Sequence, residues 1–410
     1  MRRLLLAVLV ISCAACRGTA PTSHLFVWAG DADHKASDFL AVIDASPSSR
    51  HYATVVASIP TGVAGAHPHH TELEMPASGH LLANGFGAGR TWLFDLTQPL
   101  QPRILTSFGE LEGYSHPHSF VRLANGNVLT TFQYRAKSGG VPHVSHGSGT
   151  DHSTGGLVEM DERGKPVRSG SASDPAIEDK RLFPYSVLPM PAIDRAVSTT
   201  TDMNEGNVKA TSEWVQFWRL SDLKLLRSIA LRPGSRGNEN RFTGEVRLLP
   251  DGQSIYIHTF NCGLYLLRGV DSPAPSASLV RTFHGTNCGV PVLTGNYWLQ
   301  TVPDAHALIV LDISNPEAPR EVSNLKLGDD EQPHWIAIDP TGRRIVLSSA
   351  GAGKGNRLFL IDFDPASGKL SVDERFRDRG SARAGISLTG KSWPHGFSGT
   401  ARPHGTVFSR

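Results

Sequence analysis

Ile336-Ala-Ile-Asp-Pro-Thr-Gly-Arg-Arg-Ile345, continued by Leu358-Phe-Leu-Ile-Asp362, is the stretch on which the fold turns. It reads as a short β-branched run, a tight turn, a second run, and then a third run that ends in aspartate. Proline presets φ for a turn and glycine accepts positive φ, so Asp-Pro-Thr-Gly breaks the chain between two strands. The same phrase returns as Phe120-Val-Arg-Leu-Ala-Asn-Gly-Asn-Val-Leu129 and as Val246-Arg-Leu-Leu-Pro-Asp-Gly-Gln-Ser-Ile-Tyr256. Third runs ending in aspartate recur at Trp92-Leu-Phe-Asp95 and Leu308-Ile-Val-Leu-Asp312, and Arg103-Ile-Leu-Thr-Ser107 supplies a fourth. No long segment keeps a 3.6-residue period, so the chain is expected to be all-β.

First strands of this four-stranded unit are expected to start near residues 69, 118, 184, 243, 289, 333 and 403. Their spacing averages about 56 residues, a degenerate repeat of the kind that builds propeller blades. The last first strand, Pro403-His-Gly-Thr-Val-Phe408, has no successors, while three unclaimed strands stand at 24–29, 39–44 and 52–58. One strand from the carboxyl end and three from the amino end complete a seventh blade, which leaves the ring without an open edge. The expected fold is a seven-bladed β-propeller closed in this way, one domain over residues 21–410.

Composition agrees with such a body. The 410 residues include 41 glycines and 27 prolines, and 40 basic against 38 acidic side chains leave a net charge of +2. That balance lacks the basic excess of a nucleic-acid binder. Beyond the first 15 residues no apolar run approaches the 18 or so needed to span a bilayer.

Residues 1–20 have the order of a secretory signal: Arg2 and Arg3, the apolar run Leu4–Ile11, then small residues. Cys13-Ala-Ala-Cys16 resembles a bacterial lipobox and would place lipidation at Cys16; ordinary cleavage after Ala20 is the alternative. Either route puts the mature chain outside the cytoplasm, periplasmic or anchored to the membrane through that lipid alone. Cys262 and Cys288, each in an Asn-Cys-Gly triplet, are then expected to form a disulfide between blades four and five.

Eighteen histidines are present, and outside the His143–His152 stretch five follow a proline: His69, His118, His334, His395 and His404. Four of these five open an expected first strand, and first strands line the central channel. Imidazoles converging from several blades on one channel mouth make a metal site, and nitrogen-only ligation suits copper, iron or zinc. The glycine clusters Gly85–Gly89 and Gly351–Gly355 lack phosphate-loop spacing and read as turns, and His143–His152 reads as a loop.

In their order along the chain, these landmarks resemble the selenium-binding protein family, which includes methanethiol oxidases. The resemblance runs from Asp38-Phe-Leu-Ala-Val-Ile-Asp44 to Pro403-His-Gly-Thr-Val-Phe408. Between them come His69-His70, His118 followed by Leu123-Ala-Asn-Gly-Asn-Val128, Ser198-Thr-Thr200, Leu311-Asp-Ile-Ser-Asn-Pro316 and Pro340-Thr-Gly-Arg-Arg344. It implies copper held by His69, His70, His118 and His404, with iron or zinc ranked behind. It also implies a thiol oxidase that turns methanethiol, oxygen and water into formaldehyde, hydrogen sulfide and hydrogen peroxide. His334, His395, His67 and His116 are expected as additional or supporting groups. Glu72, Glu245, Tyr114 and Tyr185 near the mouth read as structural, with proton transfer as the alternative, and no catalytic residue is assigned. The chain departs from members that bind selenium, because Thr71-Glu-Leu-Glu-Met75 has no cysteine where they carry a cluster. The alternative is a metal-binding or interaction propeller without turnover. Beyond a small thiol and oxygen, the residues indicate no partner.

Overall fold

The computed structural model describes residues 23–136, 154–177, 181–203, 212–349 and 356–410. The expected signal segment with Cys16, the His143–His152 loop and Gly351–Gly355 lie outside these residues. Seven antiparallel sheets with four strands in line follow one another around a ring, and in one of them the short strand Ile386–Ser387 also pairs with Arg357–Asp364. Blade 1 opens with Pro68–Thr71, blade 2 with Tyr114–Arg122, blade 3 with Pro184–Met190 and blade 4 with Thr243–Leu248. Pro291–Thr294 opens blade 5 and Pro333–Ile338 opens blade 6. In blade 7 the carboxyl-terminal strand Ala401–Phe408 pairs with His24–Asp31, which continues into Ser37–Asp44 and Val55–Ala64. The ring is therefore closed by both chain ends, and the opening strands of adjoining blades touch from blade 1 through blade 4 and from blade 5 through blade 7 back to blade 1.

The apolar core is divided among the joints between blades. Along His24–Asp31, Leu25, Val27 and Ala29 pack toward blade 6, against Val346, Leu358 and Leu360. The alternate residues Phe26 and Trp28 pack toward blade 1, against Leu81, Trp92 and Phe94. Side chains of a strand alternate between its faces, and here both faces are covered, so every residue of the strand is buried. That is why the inner strands read as continuous apolar runs in sequence.

One local feature positions the site. In six blades the innermost strand carries one residue more than its partner. The register shifts between Pro68 and Thr71, Pro117 and Phe120, Pro184 and Val187, Thr243 and Val246, Pro333 and Trp335, and Pro403 and Thr406. Such a bulge bends the strand and re-aims the side chains next to it. Proline starts five of the six, where a residue with no N–H to donate fits a broken ladder. The residues just after it are His69, His118, Tyr185, Gly244, His334 and His404.

Candidate metal centre at the channel mouth

Blades 6, 7, 1 and 2 are consecutive around the ring, and their bulges bring imidazoles together. The ligand-capable atoms of His69, His70 and His118 all lie within 4.8 Å of one another. His69 Nε2 is 3.0 Å from His118 Nε2, and His69 Nδ1 is 3.1 Å from His404 Nε2. His404 therefore joins the group through the far side of the His69 ring. The ring of His334 stands 4.7 Å from that of His404, at the edge of the group.

Hydrogen bonds settle which nitrogens are available. His118 Nδ1 donates to the Tyr185 carbonyl at 2.8 Å, so its Nε2 keeps the lone pair and faces the other rings. The His70 Nε2 is engaged by the Tyr185 hydroxyl at 3.1 Å, which leaves Nδ1 as the free nitrogen. Buried His404 Nδ1 has no hydrogen-bond partner. The Tyr185 ring lies against His118, with centroids 4.1 Å apart, and Trp335 meets His70 edge-on at 4.9 Å.

Burial controls the charge. His69, His70 and His118 are 8%, 2% and 0% exposed, so water reaches almost none of their surface. Desolvation holds His69 and His70 well below their ordinary range, and the neighbouring imidazoles push the same way. His118 is lowered by burial to about 4. His334 and His404 keep an edge toward the channel. Their rings are still stripped of water enough to bring His334 to about 4 and His404 well below its ordinary value. At neutral pH all are neutral, the form in which imidazole is a metal ligand. An uncharged nitrogen set with an unpartnered buried nitrogen fits copper or zinc better than a hard oxygen-seeking cation.

The other expected residues divide. Tyr185 is at the site. Glu245 is close by, buried, and bonded to Arg247 Nη1 at 2.7 Å and to the Ser186 hydroxyl at 2.9 Å. Burial opposes its charge, but Arg247 prevails and keeps it ionised. Glu72 is instead spent on Arg122, which it pairs with at 2.7 Å, and on the Leu82 amide. Tyr114 packs under the Arg135 guanidinium, away from the histidines. His67 stacks on His34 at 4.7 Å, and His116 packs on Phe86 and Tyr134, so neither enters the group. His395 is not at the channel either. Its Pro-His dipeptide forms the turn of the ribbon Lys391–Ser392 and Ser398–Gly399, and its Nδ1 bonds the Ser58 hydroxyl at 2.7 Å on the outer strand of blade 7.

Sequence reading missed His258. Gly244 stands at the blade 4 bulge position that holds a ring in the five other bulged blades, and a Cβ there would run into His258 Cε1. The second strand of blade 4 thus supplies the imidazole that its first strand lacks. Away from the site, Cys262 and Cys288 are joined, and the bond ties the turn before the third strand of blade 4 to the approach to blade 5.

No family profile and no curated protein matches this sequence. Among solved structures, the chain is similar to a hypothetical selenium-binding protein from Sulfolobus tokodaii. The TM-score is 0.71 at 16% identity, covering 95% of this chain and 94% of that one. It is also similar to the periplasmic gluconolactonase of Pseudomonas aeruginosa, with a TM-score of 0.62 at 14% identity over 95% and 99% of the two chains. A putative 6-phosphogluconolactonase from Bacteroides fragilis gives 0.59 at 12% identity over 95% and 98%. At these identities the likeness establishes the seven-bladed propeller, a fold that hosts more than one chemistry.

Proposed function

We propose that the histidine group at the channel mouth is a copper centre, and that the protein oxidises a small thiol of the methanethiol kind. One observation carries this reading: four neutral, largely buried imidazoles from three consecutive blades converge with no carboxylate among them. His69, His70, His118 and His404 would hold the ion. When bound, copper supplies affinity for a thiolate and a path for its electrons to oxygen.

The chain's own residues do the rest. The Tyr185 carbonyl and hydroxyl orient His118 and His70. Burial drives the Tyr185 phenol well above its ordinary range, so it stays protonated and serves as a donor at His70. Glu245, kept ionised by Arg247, places a negative charge near His118. Trp335 and Phe86 flank the rings and exclude water. A location outside the cytoplasm is supported by the signal-like residues 1–20 and by a disulfide, which persists in an oxidising compartment. Lipidation at Cys16 belongs to the same reading.

The near-complete closure of the three buried rings favours a second reading, a metal held without turnover. Metal content by mass spectrometry and oxygen uptake on methanethiol separate the two. Copper near one equivalent with thiol-dependent uptake supports the oxidase; copper without uptake on any small thiol supports the binding module. Single His70→Ala and His118→Ala variants should lose most of their copper at unchanged fold. Full copper in both would overturn the site.

A further inference from the structure

Asn84 is fully buried on the second strand of blade 1 and touches no solvent. Its Oδ1 accepts the His70 backbone N–H at 2.7 Å, and its Nδ2 donates to the carbonyl of Pro117 at 2.8 Å. Pro117 immediately precedes His118. These partners allow only one orientation of the amide, since an N–H must meet an acceptor and a carbonyl a donor. Its own carbonyl accepts the Trp28 indole N–H at 2.7 Å, which ties it to blade 7. One side chain therefore spans the bulge that aims His70 and the bulge that aims His118.

The bond to blade 2 belongs to a recurring pattern. Second-strand side chains reach the next blade's bulge from Gln133 to the Pro184 carbonyl, from Thr199 to Gly244, from Thr301 to His334 and from Ser348 to His404. Asn84 differs from Gln133 in where it ends. Gln133 reaches the residue before Tyr185, whereas Asn84 touches the backbone of one proposed ligand and the residue before another.

We propose that Asn84 is the positioning residue of the metal centre, setting the distance between His70 and His118. The proposal rests on the reading of that group as a metal site. Partners that orient ligands in this way typically contribute about 10- to 100-fold in metal affinity.

The test compares Asn84→Ala with Thr199→Ala, which deletes the bond of the same kind between blades 3 and 4, at Gly244, where no proposed ligand stands. Copper affinity is titrated, thermal unfolding is followed without metal, and histidine ring nitrogens are observed by NMR in the metal-free, histidine-labelled protein. Asn84→Ala should weaken copper by about 10- to 100-fold, while Thr199→Ala stays near wild type at a comparable loss of thermal stability. The ring signals of His70 and His118 should move in Asn84→Ala and stay in Thr199→Ala. Equal copper affinity in the two variants, or unmoved His70 and His118 signals, overturns the proposal. Wild-type protein that binds no copper would sink the metal reading, and the NMR arm would still decide whether Asn84 sets the two rings.

Discussion

Burial lowers His118, His258 and His334 to about 4 each, whereas an unfolded chain returns them to about 6.5. Between those values the unfolded state binds protons that the folded state refuses, so stability rises with pH across the window from 4 to 6.5 and levels above it. Acidifying the metal-free protein from pH 7 to pH 5 should therefore lower its urea midpoint. The loss reaches about 1.4 kcal/mol per pH unit for each such histidine inside the window. A midpoint that does not fall would mean these rings are solvated, and the neutral-ligand argument would fail with it. Side-chain identity at the site is partly legible in the sequence. The Pro-His dipeptides mark His69, His118, His334 and His404, because proline at a bulge leaves the next residue aimed inward. The same dipeptide at Pro394-His395 misleads, since its neighbours form a turn outside the ring.

At the scale of strands, a tripeptide can mean two things. Ala-Asn-Gly at 124–126 is the turn between the first two strands of blade 2, as its sequence suggests. At 83–85 the same three residues lie inside the strand His80–Gly85, where neighbouring blades, not local preference, decide the conformation. The role of Asn84 is hidden for that reason, and His258 is hidden because its ring comes from a second strand. The blade 7 inner strand shows how little slack these elements have. A Cβ on Gly405 would stand 2.7 Å from the Thr71 amide nitrogen and 3.0 Å from the His69 carbonyl oxygen, main-chain atoms that cannot swing aside. Gly405→Ala should therefore push this strand from blade 1 and carry His404 away from His69. Overpacking of this kind costs about 1–3 kcal/mol, and copper content should fall with it. Unchanged urea stability together with full copper would show that the strands are not held this closely.

Across the whole molecule, fixation of the ring and assembly of the site lie on different arcs. His404 belongs to the strand that closes blade 7, so the proposed centre exists only when the two chain ends have paired. Cys262 and Cys288 instead fasten blade 4 to blade 5, two blades beyond His118 and one short of His334. Closing a loop of 26 residues restrains the unfolded chain by about 3 kcal/mol in the chain-entropy picture. The joint it spans already holds its own apolar cluster, with Tyr256, Leu264, Trp298 and Leu311 all buried. Replacing both cysteines by serine should therefore lower unfolding stability by about that amount without opening the ring. Copper content and thiol-dependent oxygen uptake at 25 °C should stay at wild-type levels, because blades 7, 1 and 2 keep their contacts. A double variant that remains folded yet has lost its copper would mean that strain at blades 4 and 5 reaches the histidines through the ring.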